Sequence, residues 1–248
     1  MTTLTLALAA GAVVGLALGA LGAGGSMLTV PALIYLLGFS PAQATTASLL
    51  IVATTSLTAV VAHANAGRVR WRTGLQFAAA GLPTAFMAGA LSADLPSRVL
   101  TGAFAVLAGA AARRLLIVRR VTPAARSCGP GRSVAAGAGL GTVTGLLGVG
   151  GGFLAVPALT SVLAVPMAEA VGTSLLVISA NAVAALIPRL GEAGAVPWAT
   201  VGPFTATAVL GAWDGQRIAR KLSGPALQRA FAVALMTVAT AMLAGALM

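Results

Sequence analysis

Apolar residues fall into ten runs along the chain, five in each half, separated by short polar or glycine-rich stretches. A membrane-crossing helix needs roughly 20 residues, with a range near 17–25. The second run of each half is too short to cross, so it predicts a short or re-entrant helix. The runs are residues 3–21, 27–38, 43–63, 74–92, 97–117, 133–147, 153–165, 168–187, 198–214 and 226–247.

The two halves of the sequence repeat each other. Residues 9–33 read AAGAVVGLALGALGAGGSMLTVPAL, and residues 135–159 read AAGAGLGTVTGLLGVGGGFLAVPAL, at an offset of 126. From Ala9 to Leu57, 21 of 49 positions are identical to their counterparts. The match continues at an offset of 127, where Trp71 aligns with Trp198. Shared small-residue composition does not align proline and tryptophan at one spacing, so the sequence indicates a duplication.

A cluster of glycines, which we call the glycine knot, precedes the short run of each half. Glycine permits positive φ and close backbone approach, and free amides at the start of a helix favour an anion. We therefore predict that the knots bind substrate, with Ser26 and Thr29 adding hydroxyls, and that the two knots meet near mid-membrane. The knots comprise Gly22, Gly24 and Gly25 in the first half, and Gly148, Gly150, Gly151 and Gly152 in the second.

Glycines spaced four residues apart lead into each knot and favour close helix packing instead of binding. They are Gly11, Gly15 and Gly19 in the first half, and Gly137, Gly141 and Gly145 in the second.

Composition makes a soluble protein untenable. The chain is 58% hydrophobic and 8% charged, whereas soluble domains carry roughly 25% charged residues. The net charge of +11 comes from arginines and lysines in short loops, which indicates membrane orientation and not a nucleic-acid partner. No paired carboxylates, catalytic triad or cofactor motif is present, and Cys128 is the single cysteine. We therefore expect no enzyme activity, no cofactor and no metal, and we expect lipid as the surrounding partner.

The positions of the basic loops predict opposite orientations for the two halves. In the first half the third run is followed by Arg68 and Arg70, whereas in the second half the fourth run is followed by Arg217 and Lys221. Basic loops face the cytoplasm, so each half crosses the membrane an odd net number of times, as in inverted-topology repeats. Both termini then face the non-cytoplasmic side.

The predicted fold is an all-α multi-pass membrane protein. It has two inverted-topology repeats of about five segments, each with a glycine-broken helix, and eight to ten membrane segments in all. Residues 1–112 and 133–248 form the repeats, joined by a basic cytoplasmic linker, residues 113–132.

Polar residues in the third run of each half are further candidates for substrate binding. Asn181, in an otherwise apolar run, is the strongest, although capping or interhelical hydrogen bonding also explains such residues. Glu169 and His63 are candidates for proton coupling, since ionisable groups within the membrane are functional candidates. Arg189 is interpreted as a loop residue. The remaining candidates are Thr46, Ser48, Thr173 and Ser174.

The doubled knot with its VPAL continuation, followed by Ala44–Leu49 or by A-V-G-T-S-L at Ala170–Leu175, resembles the TauE/SafE family of sulfite and organosulfonate exporters. The second half carries the family's G-T-S, whereas the first reads Thr46, Ala47, Ser48. The resemblance implies a secondary transporter in the bacterial inner membrane that exports a small sulfur-containing anion. A proton-coupled permease for another small solute and a non-transporting membrane scaffold are the alternatives. The oligomeric state stays open, with a homo-oligomer as one candidate.

Overall fold

The computed structural model describes residues 2–21, 24–92, 130–148, 152–161, 163 and 165–219, with isolated positions between 102 and 113 and between 226 and 240. All regular elements in these ranges are helical. A π-helical turn, Ala32–Leu36, continues the helix that ends at Pro31, and a 3-10 segment, Ile187–Ala195, continues the helix that ends at Leu186. The α-helices are α1 (Thr2–Leu21), α2 (Gly24–Pro31), α3 (Pro41–Asn65), α4 (Trp71–Leu91), α5 (Pro130–Leu147), α6 (Gly152–Ser161), α7 (Met167–Leu186) and α8 (Trp198–Ala219).

Eight of the ten predicted runs correspond to these helices. The fifth run of each half, 97–117 and 226–247, lies largely outside the described residues. Within the described part, four helical stretches are long and apolar enough to cross a membrane, namely Thr3–Ala20, Ala42–Asn65, Trp71–Leu91 and Glu169–Gly191. The prediction of an all-helical protein with several membrane spans is confirmed.

Local sequence signals fix both ends of α3. The Ser40 hydroxyl accepts from the Gln43 backbone N–H at 3.3 Å, and the Gln43 side chain accepts from the Ser40 N–H at 3.2 Å. This capping box satisfies two amides that a helix start leaves open. At the other end Gly67, with φ of 68°, turns the chain towards α4.

Two outer helix pairs, α1 with α8 and α4 with α5, are held together by the glycines spaced four residues apart that precede each knot. We call these glycines the glycine ridges. A Cβ atom added to Gly15 would overlap the carbonyl oxygen of Ala208, and one added to Gly141 would overlap that of Gly81. The packing role predicted for these glycines is confirmed. Successive contacts advance in the same direction on both helices of a pair, so each pair is parallel. They are Gly11 with Phe204, Gly15 with Ala208, Gly19 with Ala212, Gly137 with Phe77, Gly141 with Gly81, and Gly145 with Ala85.

The centre of the bundle is formed by α3 and α7, which cross in opposite directions. The Ser179 hydroxyl donates to the Ser56 hydroxyl at 2.8 Å. Towards the end of α3, a Cβ on Gly172 would lie 3.2 Å from the His63 Cβ. Because α7 also runs alongside α4, the second half's third helix joins the first half's fourth helix.

The two glycine knots begin at opposite ends of α3. Gly148, which follows α5, lies against Thr45 in the second turn of α3. Leu18, near the end of α1, clusters with Ala59 and Val60 near the other end of α3. The short helices α2 and α6 contact each other. The expectation that the knots meet is wrong, because α1 and α5, which precede the knots, end at opposite ends of α3.

Candidate functional site

The second glycine knot starts with a left-handed glycine that packs tightly against α3. Gly148 has φ of 64°, and its N–H donates to the Thr144 carbonyl at 3.0 Å. A Cβ at this position would lie 2.6 Å from the Thr45 Cβ. Both the backbone conformation and the space therefore require glycine here.

Other members of the predicted knots are described less fully. Gly24, Gly25 and Ser26 form the first turn of α2, and Gly152 begins α6. Gly22, Gly150 and Gly151 lie outside the described residues.

Arg189 is buried beside Gly148, which corrects its interpretation as a loop residue. Its side chain is in the 3-10 segment after α7 and is 5% exposed. Its Nη2 donates to the Ser92 hydroxyl and, at 2.9 Å, to the Gly145 carbonyl, while Nη1 would lie 3.0 Å from a Cβ on Gly148. The guanidinium thereby joins the ends of α4, α5 and α7.

One sequence signal could have drawn attention to Arg189. At the repeat offset of 126 it aligns with His63, so both halves carry a basic residue at the same place.

Three predicted hydroxyl residues are buried in the first half. Thr29 on α2 and both Thr46 and Ser48 on α3 have no exposed surface. Among the described residues, nothing hydrogen-bonds to the Ser48 Oγ. Ser48 lies one helical turn beyond Thr45, on the same side of α3.

Asn181 is buried between α7, α4 and α5. A Cβ on Gly81 would lie 2.8 Å from the Asn181 Oδ1 and 3.0 Å from the Gly137 carbonyl oxygen. Neither polar atom of the Asn181 amide has a hydrogen-bond partner within the described part of the chain. An unsatisfied buried polar group costs about 1–3 kcal/mol, so this amide suits a polar ligand or water.

The polar residues at the start of α7 bond to the protein itself. The Thr173 hydroxyl accepts from the Arg70 backbone N–H at 3.0 Å, and the Ser174 hydroxyl donates to the Val171 carbonyl at 2.8 Å. Glu169 forms an ion pair with Arg70 and is 35% exposed. The two contacts of Arg70, with Thr173 and with Glu169, fasten the turn between α3 and α4 to α7.

His63 is buried near the C-terminal end of α3, where the turn to α4 begins. It is 6% exposed, and its Nδ1 lies 3.1 Å from the Ala59 carbonyl oxygen. The predicted site residues outside the short helices α2 and α6 therefore occupy three places: the end of α5 with Gly148 and Ser48, the middle of α7 with Asn181, and the start of α7.

Comparison with known proteins identifies relatives over nearly the whole chain. The family model described as "Sulfite exporter TauE/SafE" matches residues 7–242. A "Probable membrane transporter protein" of Xylella fastidiosa strain Temecula1 is 32% identical over 249 residues, covering 96% of this chain and 94% of the relative. The protein of the same description in strain 9a5c is 31% identical with the same coverage. No solved structure matches the chain.

Proposed function

The chain belongs to the TauE/SafE family of membrane transporters, which are not enzymes, and we propose that it exports a small sulfur-containing anion such as sulfite or an organosulfonate. The description of the matching family supports this class of substrate. The sequence carries no nucleotide-binding motif, so we assign the driving force to ion gradients. An inside-negative potential favours anion efflux by about 2.3 kcal/mol per charge per 100 mV.

The reciprocal packing of the two halves is the observation that carries the transport proposal. Each half's first helix runs parallel to the fourth helix of the other half, and α3 runs antiparallel to α7. In the first half α1 and α3 then run opposite to α4, and in the second half α5 and α7 run opposite to α8. This is the arrangement expected of inverted-topology repeats, which transporters use for alternating access.

The orientation follows from the basic loops. We place the linker 113–132, the turn with Arg68 and Arg70, and the end of α8 on the cytoplasmic side of the bacterial inner membrane. Both termini then lie outside. Reporter fusions in the linker should indicate the cytoplasm, and fusions after Met248 the opposite side; a cytoplasmic C-terminus would contradict the inverted arrangement.

Asn181 is our choice for the substrate contact at the centre of the protein. Its amide supplies two donors and one acceptor, and a buried amide without a protein partner is suited to an anion that carries oxygen atoms. Ser56 and Ser179 mark the crossing of α3 and α7 nearby.

Flux into and out of proteoliposomes tests the function. We expect labelled sulfite or a small sulfonate to move faster than in protein-free vesicles, and efflux to rise with an inside-negative potential. Movement driven only by a pH gradient would favour the proton-coupled alternative, for which Glu169 and His63 are the candidates. Absence of flux for all of these anions in a folded, reconstituted protein would contradict the proposal.

A further inference from the structure

The end of the bundle where α5 stops combines a buried cation with a buried hydroxyl. Arg189 is 5% exposed and packs on Gly148, and the fully buried Ser48 lies one turn from Thr45, which touches the same glycine. We propose that Arg189 and Ser48 form a second anion site, distinct from Asn181, at the non-cytoplasmic end of the transport path. The placement at that end rests on the proposed function and orientation.

The chemistry of the two side chains fits a small oxyanion. A guanidinium is a charged donor that suits the oxygens of a sulfonate, sulfite or carboxylate, and its Nη1 lies on the side of Gly148. The serine hydroxyl can donate to a further oxygen. Because Gly148 has no side chain, the backbone there lies directly between Thr45 and the guanidinium: an added Cβ would lie 2.6 Å from the Thr45 Cβ and 3.0 Å from the Arg189 Nη1.

A purely structural role accounts for part of this arrangement. By donating to Ser92 and to the Gly145 carbonyl, Arg189 ties helix ends together, as basic residues at helix C-termini do. That role does not involve the Ser48 hydroxyl, whose Oγ bonds to no described residue. Because buried hydroxyls are normally satisfied, a ligand oxygen beside Arg189 would complete the site.

The site lies well apart from Asn181. Asn181 and Arg189 are separated by about 13 Å along the helix axis, at about 1.5 Å per residue to the end of α7 and about 2.0 Å per residue in the 3-10 segment that follows. Asn181 faces Gly81, whereas Arg189 reaches the ends of α4 and α5. In the proposed orientation Arg189 therefore lies nearer to the outer side of the membrane than Asn181 does.

Binding measurements on the full chain test the site directly. Thermal stabilisation of the purified protein is titrated with sodium sulfite and with sodium methanesulfonate, at constant ionic strength against sodium chloride. Losing one charge-assisted contact costs about 10- to 100-fold in affinity, so we expect this weakening in Arg189→Gln and a smaller one in Arg189→Lys, which keeps the charge without the planar fork. Ser48→Ala should weaken binding about 5-fold.

A matched hydroxyl serves as control. Thr144 is buried near the C-terminal end of α5, close in sequence to Gly148, and its hydroxyl donates to the Leu140 carbonyl at 2.9 Å. Thr144→Val should bind both anions as the unmodified protein does. If Arg189→Gln does not fold, Ser48→Ala decides the matter, because removing an unbonded hydroxyl leaves no protein group unpaired.

The outcomes separate this site from the proposed function. Anion binding that depends on Arg189 or Ser48, in a protein that transports neither sulfite nor methanesulfonate, would support the site and contradict the function. Normal binding by folded Arg189→Gln and Ser48→Ala, together with sulfite flux, would overturn the site and leave the function standing. Absence of anion-specific stabilisation in the unmodified protein would also overturn the site.

Discussion

The outer helix pairs and the central helices differ in how closely the two repeats agree. In the outer pairs, three glycines of α1 meet Phe204, Ala208 and Ala212, and the equivalent glycines of α5 meet their counterparts on α4. At the centre, some repeat-equivalent residues differ in chemistry: Thr55 is aligned with Asn181, and His63 is aligned with Arg189.

This difference distinguishes residues that hold the helices together from residues that bind the substrate. Close backbone approach depends on small residues at fixed spacing, so a duplicated scaffold keeps the same glycines in both copies. A binding site for one asymmetric substrate has no such constraint, because its two sides touch different parts of the ligand. Where the halves differ, as at Asn181 and Arg189, the residues are therefore good candidates for substrate recognition, whereas Ser48 is kept as Ser174 in the other half.

The largest loss of stability is expected when a methyl group is added to a ridge glycine. Gly15→Ala and Gly141→Ala each place a methyl group onto a carbonyl oxygen of the neighbouring helix. Overpacking of this kind costs about 1–3 kcal/mol, and we expect similar losses of thermal stability for both variants. Fluorescence-detected gel filtration after heating measures the remaining folded protein.

Glycines on the same helices provide the control. Around Gly139 on α5 and Gly202 on α8, no atom of the described residues beyond the helix itself lies within 4 Å of an added Cβ. Gly139→Ala and Gly202→Ala should change stability by less than about 0.5 kcal/mol. Equal damage at Gly139 and Gly141 would remove the distinction between a ridge glycine and any other glycine.

At the centre, we expect a loss of transport without a loss of stability. Asn181→Leu keeps the branched shape and removes an unpaired buried amide, so stability should stay constant or rise by about 1–3 kcal/mol. Flux of labelled sulfite should fall at least about tenfold, which corresponds to about 1.4 kcal/mol.

The equivalent residue of the first half sharpens this test. The Thr55 hydroxyl donates to the Ile51 carbonyl of its own helix at 2.6 Å, so Thr55→Val should lower stability by less than about 1 kcal/mol and leave flux within about twofold. Normal flux in Asn181→Leu, or an equal loss in Thr55→Val, would contradict the assignment of Asn181.

The sequence predicted the features that depend on neighbours along the chain. The run boundaries and the glycine ridges have local signals, and the structure agrees with them. Contacts between halves have no local signal. Gly148 and Thr45 lie 103 positions apart, and the packing of the second half's helices on those of the first half brings them into contact.

Arg189 was missed for the same reason. A basic residue directly after an apolar run is usually a loop residue that orients the protein. Its burial depends on Ser92 and Gly145, which come from two other helices. Asn181, by contrast, stands out within its own run, and its lack of a partner became visible only with α4 and α5 in place.

The parallel pairing of α1 with α8 has a consequence for synthesis in the cell. The ridge glycines of α1 face Ala208 and Ala212, which leave the ribosome roughly 190 residues later, or roughly 10–40 s at about 5–20 residues per second. The partner of α5, in contrast, is already present when α5 is made. Until α8 is made, the glycine face of the first helix lacks its partner, so other proteins or an insertion factor have time to bind it.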